Sequence, residues 1–164
     1  MNASHVEETG AFKAPELMVD QWIDADGNPT APIRLSDHKG KFKVIYCFQS
    51  WCPGCHSNGF PALKEMVDAL SGNDKVVFFA VQTVFEGHGE NTYDKLATTQ
   101  KQYGLKIPFG HDAGDTGTNN ISKMMLNYGT GGTPWFILID QQDMVAYADF
   151  NIHAENAINF LRTL

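Results

Sequence analysis

A chain of 164 residues that is 43% hydrophobic carries enough apolar material for one compact domain and is too short for two ordinary ones. Twelve basic against nineteen acidic side chains give a formal charge of −7, which repels phosphate backbones and anionic membranes and sets nucleic acid aside as a partner. No apolar run reaches the roughly 18–20 residues that cross a bilayer, so no membrane insertion is expected, and the polar, acidic start has no secretory pattern; the expected location is the cytoplasm, or the periplasm for the trimmed form of an exported protein.

Residues 1–14 are small, polar and charged without periodicity and are expected as a flexible tail, with residues 15–164 forming the domain. Residues 17–23 read as a strand running into the turn Asp24-Ala25-Asp26-Gly27-Asn28-Pro29, with residues 33–35 returning as its partner in an N-terminal hairpin. Val44-Ile45-Tyr46-Cys47-Phe48 is an unbroken apolar run rich in β-formers, which suits a central strand covered on both faces. Phe60, Leu63, Val67 and Leu70 then recur at helical spacing, closed by Ser71-Gly72-Asn73, and Val76-Val77-Phe78-Phe79-Ala80-Val81 is a second buried strand. Strand, helix and strand in succession make a βαβ unit with parallel strands.

Tyr93, Leu96, Ala97 and Gln100 mark a mostly polar helix, residues 107–110 a short strand, and Ile121, Met124, Met125 and Tyr128 another helix capped by Gly129. Trp135-Phe136-Ile137-Leu138-Ile139 and Val145-Ala146-Tyr147-Ala148 flank Asp140-Gln141-Gln142-Asp143 as an antiparallel hairpin. Ala154, Ala157, Ile158, Leu161 and Leu164 close the chain as an amphipathic helix. The predicted class is α/β, a central mixed sheet flanked by helices. Such sheets present functional groups at the carboxyl ends of their parallel strands, and Ser50-Trp51-Cys52-Pro53-Gly54-Cys55 follows one such end directly.

Three cysteines are too few for a secreted disulfide scaffold, so their role is chemical or incidental. Cys52 and Cys55, three apart at the first turn of a helix, share a face within the Cα separation a disulfide needs. Pro53 sits just inside the helix start, and the Cys52 sulfur meets unpaired N–H groups at the positive end of the helix dipole, which favours its thiolate as a nucleophile. Cys55, a turn deeper, is expected as the buried resolving thiol. His56 would favour a nearby thiolate as a cation or else face water; Trp51 would shield the pair and offer a contact surface, or simply pack. Cys47 reads as a small buried hydrophobe.

Four other readings compete with redox exchange. Cys52-Pro53-Gly54-Cys55-His56 also spells c-type haem attachment, which needs an exported chain, a distal ligand and a helical wrapping domain. Structural zinc needs four ligands, and neither a second CxxC nor a spaced histidine pair is present. A static disulfide gains little from so short a loop. Chance is opposed by the placement between a buried strand and an amphipathic helix. No cofactor and no metal are expected, and the glycine-rich stretches 110–117 and 129–132 lack a Gly-Lys-Ser/Thr ending and read as turns.

The residues resemble the TlpA/ResA-like branch of the thioredoxin superfamily, often grouped with the AhpC/TSA redoxins. The resemblance runs through Ala14-Pro15-Glu16-Leu17, Leu35-Ser36-Asp37-His38-Lys39-Gly40-Lys41, Ser50-Trp51-Cys52-Pro53-Gly54-Cys55, Phe60-Pro61-Ala62-Leu63 and Gly132-Thr133-Pro134. It implies a thioredoxin-like fold with a helical insertion and protein disulfides or dithiols as partners; the sequence identifies no particular reductase or oxidase. It also implies a cis bond at Thr133-Pro134 that exposes the Thr133 backbone to an extended substrate. The family commonly places a proline five residues after the second cysteine, whereas Pro61 lies six after Cys55, so a distorted helix start is expected. Its usual acidic residue is missing from His56-Ser57-Asn58-Gly59, and the buried aspartate of thioredoxin proper is replaced in this region by Tyr46 and Cys47.

Topology offers Glu86 and His88 as alternative proton handlers, because their loop follows the end of the second parallel strand; a solvated loop is the plainer reading. Two further functions are weighed against exchange of the dithiol with protein or small-molecule disulfides. A peroxiredoxin-like peroxidase would want threonine three before and proline seven before Cys52, where Gln49 and Ile45 stand. A redox-inert binding module on the same scaffold is opposed by the intact CxxC.

Overall fold

The structure, a computed structural model, describes residues 12–164. Residues 1–11 of the expected tail lie outside the described residues. Its last part is docked rather than loose: β1 (Phe12–Lys13) pairs antiparallel with Val145 and Met144, and the buried Ala14 donates its N–H to the Asp143 carbonyl at 2.8 Å.

The N-terminal hairpin is tighter than its sequence suggests. It comprises β2 (Gln21–Ile23) and β3 (Pro29–Thr30), not a return through residues 33–35. The Asp24 carboxylate accepts from the N–H groups of Asp26 and Asn28 at 2.9 and 3.0 Å, closing the turn before the chain reaches Ile33. Leu35 instead opens a short 3₁₀ turn, Leu35–His38, whose first N–H is taken by the Glu16 carboxylate at 2.9 Å. Met18 has a positive φ of 57°, so the strand starts at Gln21 rather than Leu17.

The centre is β4 (Phe42–Phe48), buried along its whole length. A helical segment from Pro53 leads into α1 (Phe60–Ala69), and β5 (Val76–Thr83) returns parallel to β4 with Val44 opposite Phe78. The insertion is a helix plus a strand, α2 (Lys95–Tyr103) and β6 (Phe109–Asp112), with β6 parallel to β5. Then come α3 (Lys123–Tyr128), the hairpin β7 (Trp135–Ile139) and β8 (Met144–Asp149), and α4 (Ala154–Leu161). Gly129 caps α3 at φ 66°, in the left-handed conformation that favours glycine. The described strands form one mixed sheet in the order β1-β8-β7-β4-β5-β6-β2-β3.

Alternation along β4 divides the core. Phe42, Val44, Tyr46 and Phe48 join Phe60, Leu63 and Met66 of α1 and Ile158 and Leu161 of α4 on one face. Ile45 and Cys47 join Trp22, Met124 and Tyr128 on the other. Both faces are covered, so the carboxyl end of β4 opens onto the surface between two fixed layers. Among the described residues no helix is long and apolar enough to cross a membrane.

Candidate active site

The first helical turn after β4 carries both sulfurs. Cys52 is half-buried and Cys55 fully buried, and both are free thiols. The Cys55 N–H donates to Cys52 Sγ at 3.2 Å, and the Cys52 thiol lies 3.6 Å from the Thr133 carbonyl. A backbone donor at the helix start therefore faces the outer sulfur, where a thiolate's negative charge would sit. The Thr133–Pro134 peptide is cis, and a Cβ built on Gly54 would touch Pro134 Cδ at 3.5 Å, so the proline ring lies directly against the CxxC turn. Pro53 is exposed at the start of the turn.

The helix start is distorted where the displaced Pro61 suggests. Cys55–Gly59 forms a π-helical turn, closed by the Phe60 N–H donating to the Cys55 carbonyl. Tyr46 on β4 adds a second hydrogen bond, its hydroxyl donating to that carbonyl at 2.8 Å. Cys47, also on β4, is buried among apolar neighbours on the opposite face of the sheet from Cys55.

Polar side chains at the strand ends hold the loops around the dithiol. Gln49 and Gln82 directly follow the apolar runs and are fully buried. The Gln49 carbonyl oxygen accepts from Phe85 N–H at 3.1 Å, and its amide nitrogen lies 3.5 Å from the Thr133 hydroxyl. The Gln82 oxygen takes the Ser50 N–H at 3.0 Å and the Ser50 hydroxyl, while its NH₂ reaches the Thr92 carbonyl and His111 Nδ1, each at 3.0 Å. His111 Nδ1 is therefore an acceptor. Buried Asn91 accepts the Trp51 N–H at 3.1 Å and donates to the carbonyls of Glu86 and Gly87. Reading by motif passes over these amides; the available signal is a polar residue at the end of each apolar strand, where the sheet opens.

The remaining candidates divide. The Trp51 ring is half-exposed and lies against Gly87, where a Cβ would come within 2.7 Å of the indole. His56 Nε2 donates to the Ser50 carbonyl at 2.7 Å, leaving Nδ1 to accept from the Tyr103 hydroxyl at 2.5 Å; neither nitrogen bonds a sulfur. The Glu86 loop does reach the expected sheet edge, but through its backbone on Gln49 and Asn91. The side chains of Glu86 and His88 are exposed, and His88 binds the Asn120 carbonyl at 2.7 Å. Among the described residues no cluster of three or more His, Cys, Asp or Glu could hold a metal ion.

Burial, followed by hydrogen bonding with Cys52, pushes the Cys55 thiol up to about 12, and burial also pushes Cys47 up. A thiol that ionises near 9.0 when unfolded but stays protonated when folded adds stability below pH 9, and this is lost as pH rises toward 12. The reduced protein should therefore weaken above pH 9, by about 1.4 kcal/mol per pH unit for each such thiol. Replacing Cys55 with serine should reduce that slope; an unchanged slope would show that Cys55 does not contribute to it.

The redoxin family model matches residues 13–156. The solved thioredoxin-like superfamily protein SPOA0173 is 34% identical, with coverage of 93% of this chain and 95% of that one and a TM-score of 0.78. A thiol-disulfide isomerase from Corynebacterium glutamicum is 27% identical over 92% and 96% of the two chains, with a TM-score of 0.75. The pneumococcal exposed lipoprotein thioredoxin from Streptococcus pneumoniae, 24% identical over 89% and 99%, shares the fold at a TM-score of 0.61.

Proposed function

Because the chain belongs to the redoxin family, whose general chemistry is thiol-disulfide redox exchange, we propose that it exchanges its Cys52/Cys55 dithiol with disulfides in extended polypeptides. Cys52 is the attacking sulfur and Cys55 the resolving one. The observation that carries this reading is their asymmetry: a half-buried outer sulfur faces a backbone donor and the Thr133 carbonyl, and a buried inner thiol lies one turn behind it. Thr133 offers backbone to an extended substrate beside Pro134, Trp51 supplies an exposed contact face, and Pro53 and Gly54 shape the turn between the sulfurs. The Trp-Cys-x-x-Cys motif combined with a late Thr-Pro supports the TlpA/ResA-like branch within the family. The likeness to a protein described as a thiol-disulfide isomerase supports disulfides, rather than peroxides, as substrates.

One round of exchange needs only the chain's own sulfurs, and repeated turnover needs an external thiol such as dithiothreitol to return the Cys52–Cys55 disulfide to the dithiol. Cys52 thiolate attacks a substrate disulfide, forms a mixed disulfide and releases one substrate thiolate. Cys55 then attacks Cys52 Sγ, and the second substrate sulfur leaves, so two electrons pass from the dithiol to the substrate. With insulin as substrate, Cys52→Ser should lower turnover by about 10³-fold or more, whereas Cys55→Ser should stall as a mixed disulfide visible by mass spectrometry. Faster thiol consumption by hydrogen peroxide than by insulin would replace this reading with the peroxidase one. Full insulin turnover by Cys52→Ser would overturn the assigned nucleophile.

A further inference from the structure

We infer that Tyr46 is a positioning residue for the resolving thiol: its hydroxyl, bonded to the Cys55 carbonyl within a π-helical turn that Gly59 makes room for, fixes the backbone from which Cys55 attacks. The inference rests on the dithiol reading above and names a part of that site which the CxxC motif does not include.

Three residues distant in sequence meet at one point. Tyr46 is fully buried, its ring packed edge-on against Phe60 at 4.9 Å, tilted on Phe136 at 4.9 Å and stacked on Phe48 at 5.9 Å. A ring held on these sides has little freedom to move its hydroxyl, which lies 2.8 Å from the Cys55 carbonyl. The same carbonyl accepts the Phe60 N–H across the widened turn. At Gly59, a Cβ would lie 2.0 Å from the Tyr46 hydroxyl oxygen and 2.6 Å from the ring carbon that bears it. A side chain at 59 and the hydroxyl cannot occupy this space together.

Cys55 is thus held at both ends of its backbone, the N–H on Cys52 Sγ and the C=O on Tyr46. Once Cys52 is engaged in a mixed disulfide, the carbonyl end remains tied to the sheet. Cys55 gives its proton to water and its sulfur attacks Cys52 Sγ; the internal disulfide forms as the bond to the substrate breaks, and the departing thiolate takes a proton from water. Tyr46 is not the base. Burial holds the phenol far above its ordinary range, so it remains a donor.

Stopped-flow reduction of 5,5′-dithiobis(2-nitrobenzoate) by the full chain separates the two steps, since Cys52 attack releases the first thionitrobenzoate and Cys55 resolution the second. In Tyr46→Phe the first release should remain within about twofold of the unmutated rate, and the second should slow about fivefold, the effect of one net hydrogen bond. Equal slowing of both steps, or of neither, would overturn the inference. In the unmutated reduced protein, the Tyr46 hydroxyl proton should give a slowly exchanging NMR resonance with a cross-peak to the Gly59 Cα protons. Absence of that signal would overturn the inference even if Tyr46→Phe failed to fold. If the unmutated protein releases no second thionitrobenzoate, the dithiol reading itself fails; if it releases both and the variant keeps pace, only the role of Tyr46 fails.

Discussion

Asp143→Ala is expected to destabilise the protein by about 3–5 kcal/mol, measured by urea unfolding of the reduced chain at neutral pH. The cause is Lys43, whose side chain is 0% exposed within β4. Its ammonium has two oxygen partners, the Asp143 carboxylate at 3.0 Å and the Lys41 carbonyl at 3.1 Å. Without Asp143, a buried positive charge keeps one neutral acceptor. Alanine would also have to adopt the positive φ of 62° found at 143, a conformation aspartate and asparagine tolerate better. Lys43→Met should behave differently, because it removes the buried charge and leaves a carboxylate that is 25% exposed and can be hydrated. Its expected cost is within about 1 kcal/mol. Equal losses in the two variants would mean that the desolvated charge is not the cause.

Gly59→Ala is the second large expectation. On helix propensity alone, alanine would gain up to about 1 kcal/mol over glycine. Its Cβ, however, would lie 2.0 Å from a hydroxyl whose ring is wedged among Phe48, Phe60 and Phe136. Overpacking of this kind costs about 1–3 kcal/mol, and it acts on the backbone that carries Cys55. The expected result is a net loss of stability together with slower insulin reduction. Gly54→Ala provides the stability contrast, since its Cβ would make only an ordinary 3.5 Å contact with Pro134. Comparable urea midpoints for the two variants would show that the turn at 59 adjusts without cost.

The parts of the fold legible in the sequence are those whose residues report their own environment. The short apolar runs within β4 and β5, rich in β-formers, read as strands covered on both sides, and the spacing of Ala157, Ile158 and Leu161 describes α4 directly. Cys52 and Cys55 are legible as a pair because their spacing alone places both at one helical turn. The hidden features depend on partners remote in sequence. Tyr46 reads as one more β-former in an apolar run, although its hydroxyl has a specific acceptor nine residues on. Gln49, Gln82 and Asn91 carry no motif and matter because three loops converge on them. Topology places the Glu86 loop at the right edge of the sheet, but side-chain direction is set by local backbone, and Glu86 points outward. The early hairpin departs from its pattern because one carboxylate, Asp24, folds the chain back sooner than strand patterning suggests.

The wide turn at Cys55–Gly59 also bears on how an extra residue enters a helix without disturbing the coils beyond it. In an unbroken α-helix one inserted residue rotates everything downstream by about 100°, which would swing Phe60, Leu63 and Met66 away from the sheet. A single π-turn takes up the addition within one coil, so the downstream stripe keeps its bearing while the cysteines keep theirs. Alignments of this chain with relatives whose proline comes one position earlier should therefore place the gap between Cys55 and Pro61, since a gap-free alignment would pair lining residues with solvent-facing ones along the whole of α1.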